Sequence, residues 1–341
     1  KTRTKFIYPP PLAAIFIPLA WFSYRWSMRI FAVLSFGALL CFLALFRREC
    51  AEWHIRPFWA NALVLAVGTG LPSSESIMMG NATPFVGLAA VLVLRGLRNG
   101  QTGRTVWGFS MAGLTKGFSA PWVPALFLGR KWRVVATGAA TIVVLCAVTA
   151  MLGAGIGAYL AFFEEVIPAS RGNLYWFGDA NLGLPSLVAW LYGSLPKSAN
   201  PCFAALQLTL IVSAYALSWK VPACDKSHAE GLALFLSTLA FQICSYVCWP
   251  HYVFNIIAFL PLAVSAIPHT HTQQPPCHRL LQACAIIGFA LAWFPIGNAA
   301  KYLSHIPLFG FGRTLGYLIL LASGFAKLYL LAFPTDHERT V

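Results

Sequence analysis

Lys116 lies inside an apolar run, flanked by Leu114 and Phe118. Holding a lysine at mid-membrane costs about 2.5–3.5 kcal/mol on insertion scales, so such a residue is a functional candidate by default. The chemistry it offers is a cation for a phosphate, and snorkelling to an interface is the competing reading. His251, in "CWPHYVFN", follows a proline break at an expected helix end. Its imidazole suits a phosphate or a sugar hydroxyl, although a satisfied structural histidine is the commoner fate. The longest non-spanning segment, Gly153–Gly183, holds Glu164, Glu165, Arg171, Asn173, Asp179 and Asn181. Its tail "NLYWFGDANLGLPSL" sets aromatic faces beside carboxylate and amide groups, as a sugar ring with apolar faces and a polar rim requires. An interfacial aromatic belt would look the same. Finally, Gly80-Asn81-Ala82-Thr83-Pro84 separates two apolar runs. Irregular polar backbone at membrane depth survives only where protein or a water-filled cavity surrounds it. Asn81 would hydrogen-bond there, and Gly80 would allow close backbone approach.

Other chemistries find no support. There is no GxSxG, no GxxxxGK[ST] and no readable Ser-His-Asp arrangement. "HTHTQQPPCHR" carries three histidines and a cysteine, but their spacing matches no standard metal site, and a solvated loop is the better reading. The nine cysteines lie mostly in apolar runs and include no CxxC pair. Cys244 and Cys248 are expected one helical turn apart, as packing residues. No metal or cofactor is expected.

The elements that must position these residues are membrane helices. Of the 341 residues, 58% are hydrophobic and 10% charged, and the mean hydropathy is +0.69. A soluble domain carries about 25% charged residues. The chain therefore reads as an all-α polytopic integral membrane protein, with about 10–12 transmembrane or half-membrane helices. Its 24 basic against 10 acidic residues give a net charge of +14. The bases sit in short clusters between apolar runs, as cytoplasmic loops facing anionic headgroups do, so nucleic acid is set aside. Expected spans are Leu12–Tyr24, Ile30–Phe46, Phe58–Leu71, Pro84–Leu94, Val106–Leu128, Val134–Leu152, Phe203–Trp219, Leu232–Cys248, Val253–Ile267, Leu280–Ile296 and Leu315–Phe333. Both "RGLRNGQTGR" (Arg95–Arg104) and "GRKWR" (Gly129–Arg133) are basic. If both are cytoplasmic, the run between them must enter and return, with a break at "TKGFSAPWVP". "FRRECAEWHIR" also fits the cytoplasm by charge, but the alternation of spans leaves its side open. The expected organisation is one transmembrane domain over 1–341, with 153–183 extracytoplasmic and a short cytoplasmic tail at 334–341. The start at Lys1 reads as the middle of a longer chain.

Five segments in order carry a resemblance. "YPPPLAAIFIPLAW" resembles the tyrosine-proline-proline start of the second membrane helix in the polytopic GT-C glycosyltransferases of family 87. "MMGNATPFVGLAAVLVLRG" is similar to that family's glycine-glutamine-x-asparagine helix start, with Gly80-Asn81 in place of glycine-glutamine. "MAGLTKGFSAPWVPALFLGRKWR" is similar to its alanine-glycine segment. "NLGLPSLVAWL" and "HYVFNIIAFLPL" stand where the family has an asparagine-bearing loop and a late histidine-tyrosine helix. The resemblance implies a bacterial plasma-membrane enzyme, mannosyltransferase-like, that takes its sugar from a polyprenyl phosphate and gives it to a lipid or glycan acceptor. No nucleotide or other cofactor is needed, because the donor is a lipid. Tyr8, Asn81, Lys116, Asp179, Asn181, His251 and Arg313 become the expected substrate-binding residues. The catalytic carboxylate is implied in a loop ahead of Lys1. A transporter or lipid flippase with broken midplane helices is the rival, which inverted repeats would support, and none is visible. A non-catalytic membrane subunit is a third reading.

Overall fold

The computed structural model describes residue 12 and residues 17–70, 73, 76–77, 81–117, 119–151, 155–166, 183–195, 199–245, 248, 250–265, 276–293 and 307–333. Among these the regular structure is helical throughout, and the protein is an all-α polytopic membrane protein. Four helices are long and apolar enough to cross a bilayer on composition alone: Tyr24–Glu52, Trp132–Thr149, Ala199–Lys220 and Gly312–Ala332 within a longer helix.

The chain enters through a short 3-10 turn, Ile17–Trp21, and then helix α1, Tyr24–Glu52. The expected span Ile30–Phe46 lies inside this helix, whereas of the expected span Leu12–Tyr24 residues 17–21 form the 3-10 turn and Tyr24 opens α1. Tyr24-Arg25-Trp26 form the first turn of one 29-residue helix. At 1.5 Å per residue that helix is about 44 Å long, enough to cross a bilayer and its headgroups. His54, at φ 55°, turns the chain. Two shorter helices follow, α2 (Pro57–Thr69) and α3 (Thr83–Arg98), each with proline at its first turn, where the missing N–H is no loss. The run Val106–Leu128 is split into α4 (Thr102–Lys116) and α5 (Trp122–Leu128). Gly117 closes α4 at φ 69°, a conformation glycine adopts without penalty. Beyond lie α6 (Trp132–Thr149), the small α7 (Gly155–Ala161), α8 (Leu184–Tyr192), α9 (Ala199–Lys220) and α10 (Lys226–Cys244). A π-helical turn at Phe162–Val166 follows α7, so the expected extracytoplasmic loop is partly helical. Helix α10 ends at Cys244, so Cys248 does not follow it on the same helix face. A 3-10 turn, Pro250–Val253, then leads into the broken pair α11 (Phe254–Ile257) and α12 (Leu260–Val264). Helices α13 (Pro276–Trp293) and α14 (Pro307–Ala332) complete the bundle.

Small residues decide how closely these helices approach, because lipid offers no hydrophobic drive between them. A Cβ on Gly108 would lie 2.6 Å from the Ala89 carbonyl, and one on Gly96 2.3 Å from Thr105 Oγ1, so α3 and α4 pack backbone to backbone, antiparallel. Helices α13 and α14 do the same: a Cβ on Gly316 would meet the Gly288 carbonyl at 2.6 Å. Gly316→Leu is expected to cost about 1–3 kcal/mol or more by overpacking, read as a lower thermal midpoint in detergent. Gly37→Ala in α1, where nothing stands within 4 Å, should leave the midpoint unchanged or raise it.

One end of the bundle is basic, and it gathers the segments whose side alternation left open. Glu49, fully buried near the end of α1, accepts from Arg95 Nη1 at 2.7 Å on one oxygen and Arg98 Nη1 at 2.7 Å on the other. Trp53 packs edge-on against His228 of α10, ring centroids 4.7 Å apart. Lys131 pairs with Glu230 at 3.5 Å. The segments "FRRECAEWHIR", Arg95–Arg104, Gly129–Arg133 and the start of α10 therefore share one end. Exposed Trp59, Trp107, Trp132 and Trp219 girdle it, as tryptophans do at headgroup depth. With 95–104 and 129–133 at the same end, α4 and α5 form a hairpin that enters and returns. Its α5 arm is held inside by Trp122, whose indole N–H donates to Thr238 Oγ1 at 2.9 Å.

Candidate functional site

The opposite end takes in the backbone positions of Asn81, Lys116, His251 and Arg313. Helix α3 begins there. Asn81 is buried just ahead of it; its backbone N–H donates to the Ser76 carbonyl at 2.7 Å, and its Oδ1 accepts from Thr83 Oγ1 at 2.6 Å. Thr83 is thus a partner that sequence reasoning passed over, though it belongs to the same Gly80–Pro84 stretch. The first turn of α3 leaves backbone N–H groups without helical partners, a setting that favours oxyanions.

Lys116 is the last residue of α4. The antiparallel contacts Gly96 to Thr105 and Gly108 to Ala89 and Val93 fix the register of α4 on α3. Extending it eight residues from Gly108 sets the backbone of Lys116 level with Thr83. His251 belongs to the 3-10 turn Pro250–Val253, which Gln242 of α10 holds by donating from Nε2 to the Tyr252 carbonyl at 3.1 Å. The next residues run down against α3, where a Cβ on Gly87 would lie 3.2 Å from the Phe254 ring. That contact brings the His251 turn to the level of the α3 start.

Arg313, 9% exposed, is in the second turn of α14. One turn on, the buried Tyr317 faces both Arg313 and Cys248. The i, i+4 spacing puts Arg313 and Tyr317 on one helix face, a signal present in the sequence. Below this level the bundle is closed by aromatic rings. Phe254 meets Phe42 at 5.9 Å and Trp293 at 5.6 Å, both edge-on, and Phe289 stacks on Trp293 at 5.7 Å. The Trp293 indole N–H donates to the Ala66 carbonyl at 3.2 Å, tying α13 to α2.

Asn81, Lys116, His251 and Arg313 therefore come from four separate elements to one end of the bundle. The backbones of these four residues share that level, above the aromatic rings of Phe42, Phe254 and Trp293. Tyr8, Asp179 and Asn181 lie outside the described residues. Buried Glu49, Asp225 and Lys327 belong to the basic end and were missed. Lys327 carried the same signal as Lys116, a lone lysine in a long apolar run.

Comparison with known proteins adds the family. The model for glycosyltransferase family 87 matches residues 6–250. No curated protein and no solved structure gives a match. The matched stretch takes in Asn81 and Lys116 and stops one residue short of His251. It covers well over half of the chain, and on that ground the protein belongs to glycosyltransferase family 87.

Proposed function

We propose that the protein transfers a sugar, mannose as the leading candidate, from a polyprenyl-phosphate donor to a lipid or glycan acceptor. The reaction takes place on the extracytoplasmic face of the bacterial plasma membrane. What supports the reading is that the helix ends and turn carrying Asn81, Lys116, His251 and Arg313 lie at the end of the bundle away from the basic loops. By the positive-inside rule the basic end is cytoplasmic, so those residues face the other side.

In this mechanism an acceptor hydroxyl attacks the anomeric carbon. The bond from that carbon to the phosphate oxygen breaks, and polyprenyl phosphate leaves with the electron pair. A carboxylate takes the hydroxyl proton as general base. Lys116 and Arg313 stabilise the charge that grows on the leaving phosphate, and His251 donates to it. Asn81 binds hydroxyls at the sugar rim, with Asp179, Asn181 and Tyr8 as further contacts. The role of Arg313 is checked by Arg313→Ala and Arg313→Lys. The alanine variant should lose about 10²-fold in kcat and the lysine variant much less, since a phosphate accepts either cation.

The experiment uses membranes holding the intact protein and radiolabelled polyprenyl-phosphate sugars. Transfer of label into a lipid or glycan fraction is the expected result. No transfer, under conditions where a related enzyme works, would sink the proposal. A flippase would instead move the labelled lipid across the bilayer without breaking the bond from sugar to phosphate.

A further inference from the structure

Lys327, near the end of α14, is 3% exposed and makes no ion pair with a carboxylate among the described residues. Its nitrogen instead sits among neutral oxygens. It donates to the Leu262 carbonyl at 2.6 Å, the Ser265 carbonyl at 2.8 Å and Ser265 Oγ at 3.1 Å, with the Ala263 carbonyl at 3.3 Å. A neutral amine has only two N–H bonds, whereas an ammonium has three donors to match the three oxygens within 3.1 Å.

The chain builds this cage for a reason visible in its local structure. Leu262 and Ala263 belong to the last turn of α12, where carbonyls lack partners within the helix. Ser265 Oγ gives its own proton to the Leu262 carbonyl at 2.9 Å, which leaves its lone pairs for the cation. Converging neutral oxygens at such distances are how proteins replace the hydration shell of a monovalent cation. His278 and Gln282 of α13 line the small cavity beside the cage, so three elements meet there.

We propose that this cage is a monovalent-cation site whose resident is the protein's own Lys327 ammonium, and that it takes free ammonium or potassium once that tether is cut. The site is distinct from the transferase end, and its test needs no turnover. The Lys327→Ala variant is purified in detergent and its thermal midpoint is measured in choline, lithium, potassium and ammonium chlorides. In choline it should melt several degrees below the unsubstituted protein. Ammonium or potassium at about 0.1 M should restore at least half of that loss, by binding the folded state alone. Lithium, too small to reach all the oxygens at once, should restore little. The unsubstituted protein, with its cage full, should show no such selectivity. Lys327→Met fills the space with an uncharged stem and should be destabilised but indifferent to the salt. Ser265→Ala removes one ligand, keeps the lysine and should lower the midpoint by a smaller step. A Lys327→Ala midpoint equal to the unsubstituted one, or an equal response to all four salts, would overturn the proposal. So would an alanine variant recoverable in none of the four salts, or a Ser265→Ala variant with an unchanged midpoint.

Discussion

Lys116→Met is expected to lower sugar transfer by about 10²–10³-fold while the protein still folds and inserts, the range typical for loss of one preorganised electrostatic stabiliser. Methionine keeps the apolar stem and removes only the charge, so insertion should if anything improve. Lys116→Arg should keep part of the activity, because a phosphate accepts either cation, though the planar guanidinium fork fits a point-charge site less well. The measurement is kcat on labelled polyprenyl-phosphate sugar in membranes, beside the amount of inserted protein. A methionine variant that turns over normally would mean that Lys116 only snorkels. The phosphate would then be held by His251 and Arg313.

The second large effect belongs to the other end. Glu49→Ala leaves Arg95 and Arg98 part-buried, facing each other across the space the carboxylate filled. Breaking a buried ion pair in this way costs about 3–5 kcal/mol, and the charge left behind accounts for most of it. The thermal midpoint should fall sharply, while kcat of the surviving folded fraction at low temperature stays near normal. Restoring neutrality in the triple variant Glu49→Ala, Arg95→Met, Arg98→Met should recover most of the lost stability. If the triple variant is no better than the single one, the triad is held together by packing rather than charge.

These two predictions differ in how far the sequence foretold them. Lys116 was legible because one charge in an apolar run stands out. The hairpin that carries it was legible because two basic loops flanked a single run. Glu49 was not: "FRRECAEWHIR" reads as a basic loop, and nothing local says that its carboxylate turns inward to two arginines 46 and 49 residues away. The extent of α1 was not legible because Arg25 and Arg29 interrupt its apolar run, and only the structure shows Arg29 lying over the exposed Trp26 ring at 5.1 Å on the helix surface. Tyr317 was passed over because a tyrosine in an apolar run carries no cost until its neighbours are known. Composition gave the class and charge gave the ends. Pairings across the bundle depend on close glycine contacts such as Gly288 on Gly316, which leave no periodic trace.

The Trp122–Thr238 bond has a consequence for how the chain is made. Helix α5 spans seven residues, too few to lodge in a membrane alone, and its buried indole finds its acceptor 116 residues later. At a synthesis rate of about 5–20 residues per second, that interval lasts roughly 6–23 s. Until Thr238 leaves the ribosome, the α5 arm lacks the acceptor for its indole, while α4 already has α3 to pack on. The returning arm beyond Lys116 is thus set in place late, by a helix that has not been translated when the hairpin first meets the bilayer.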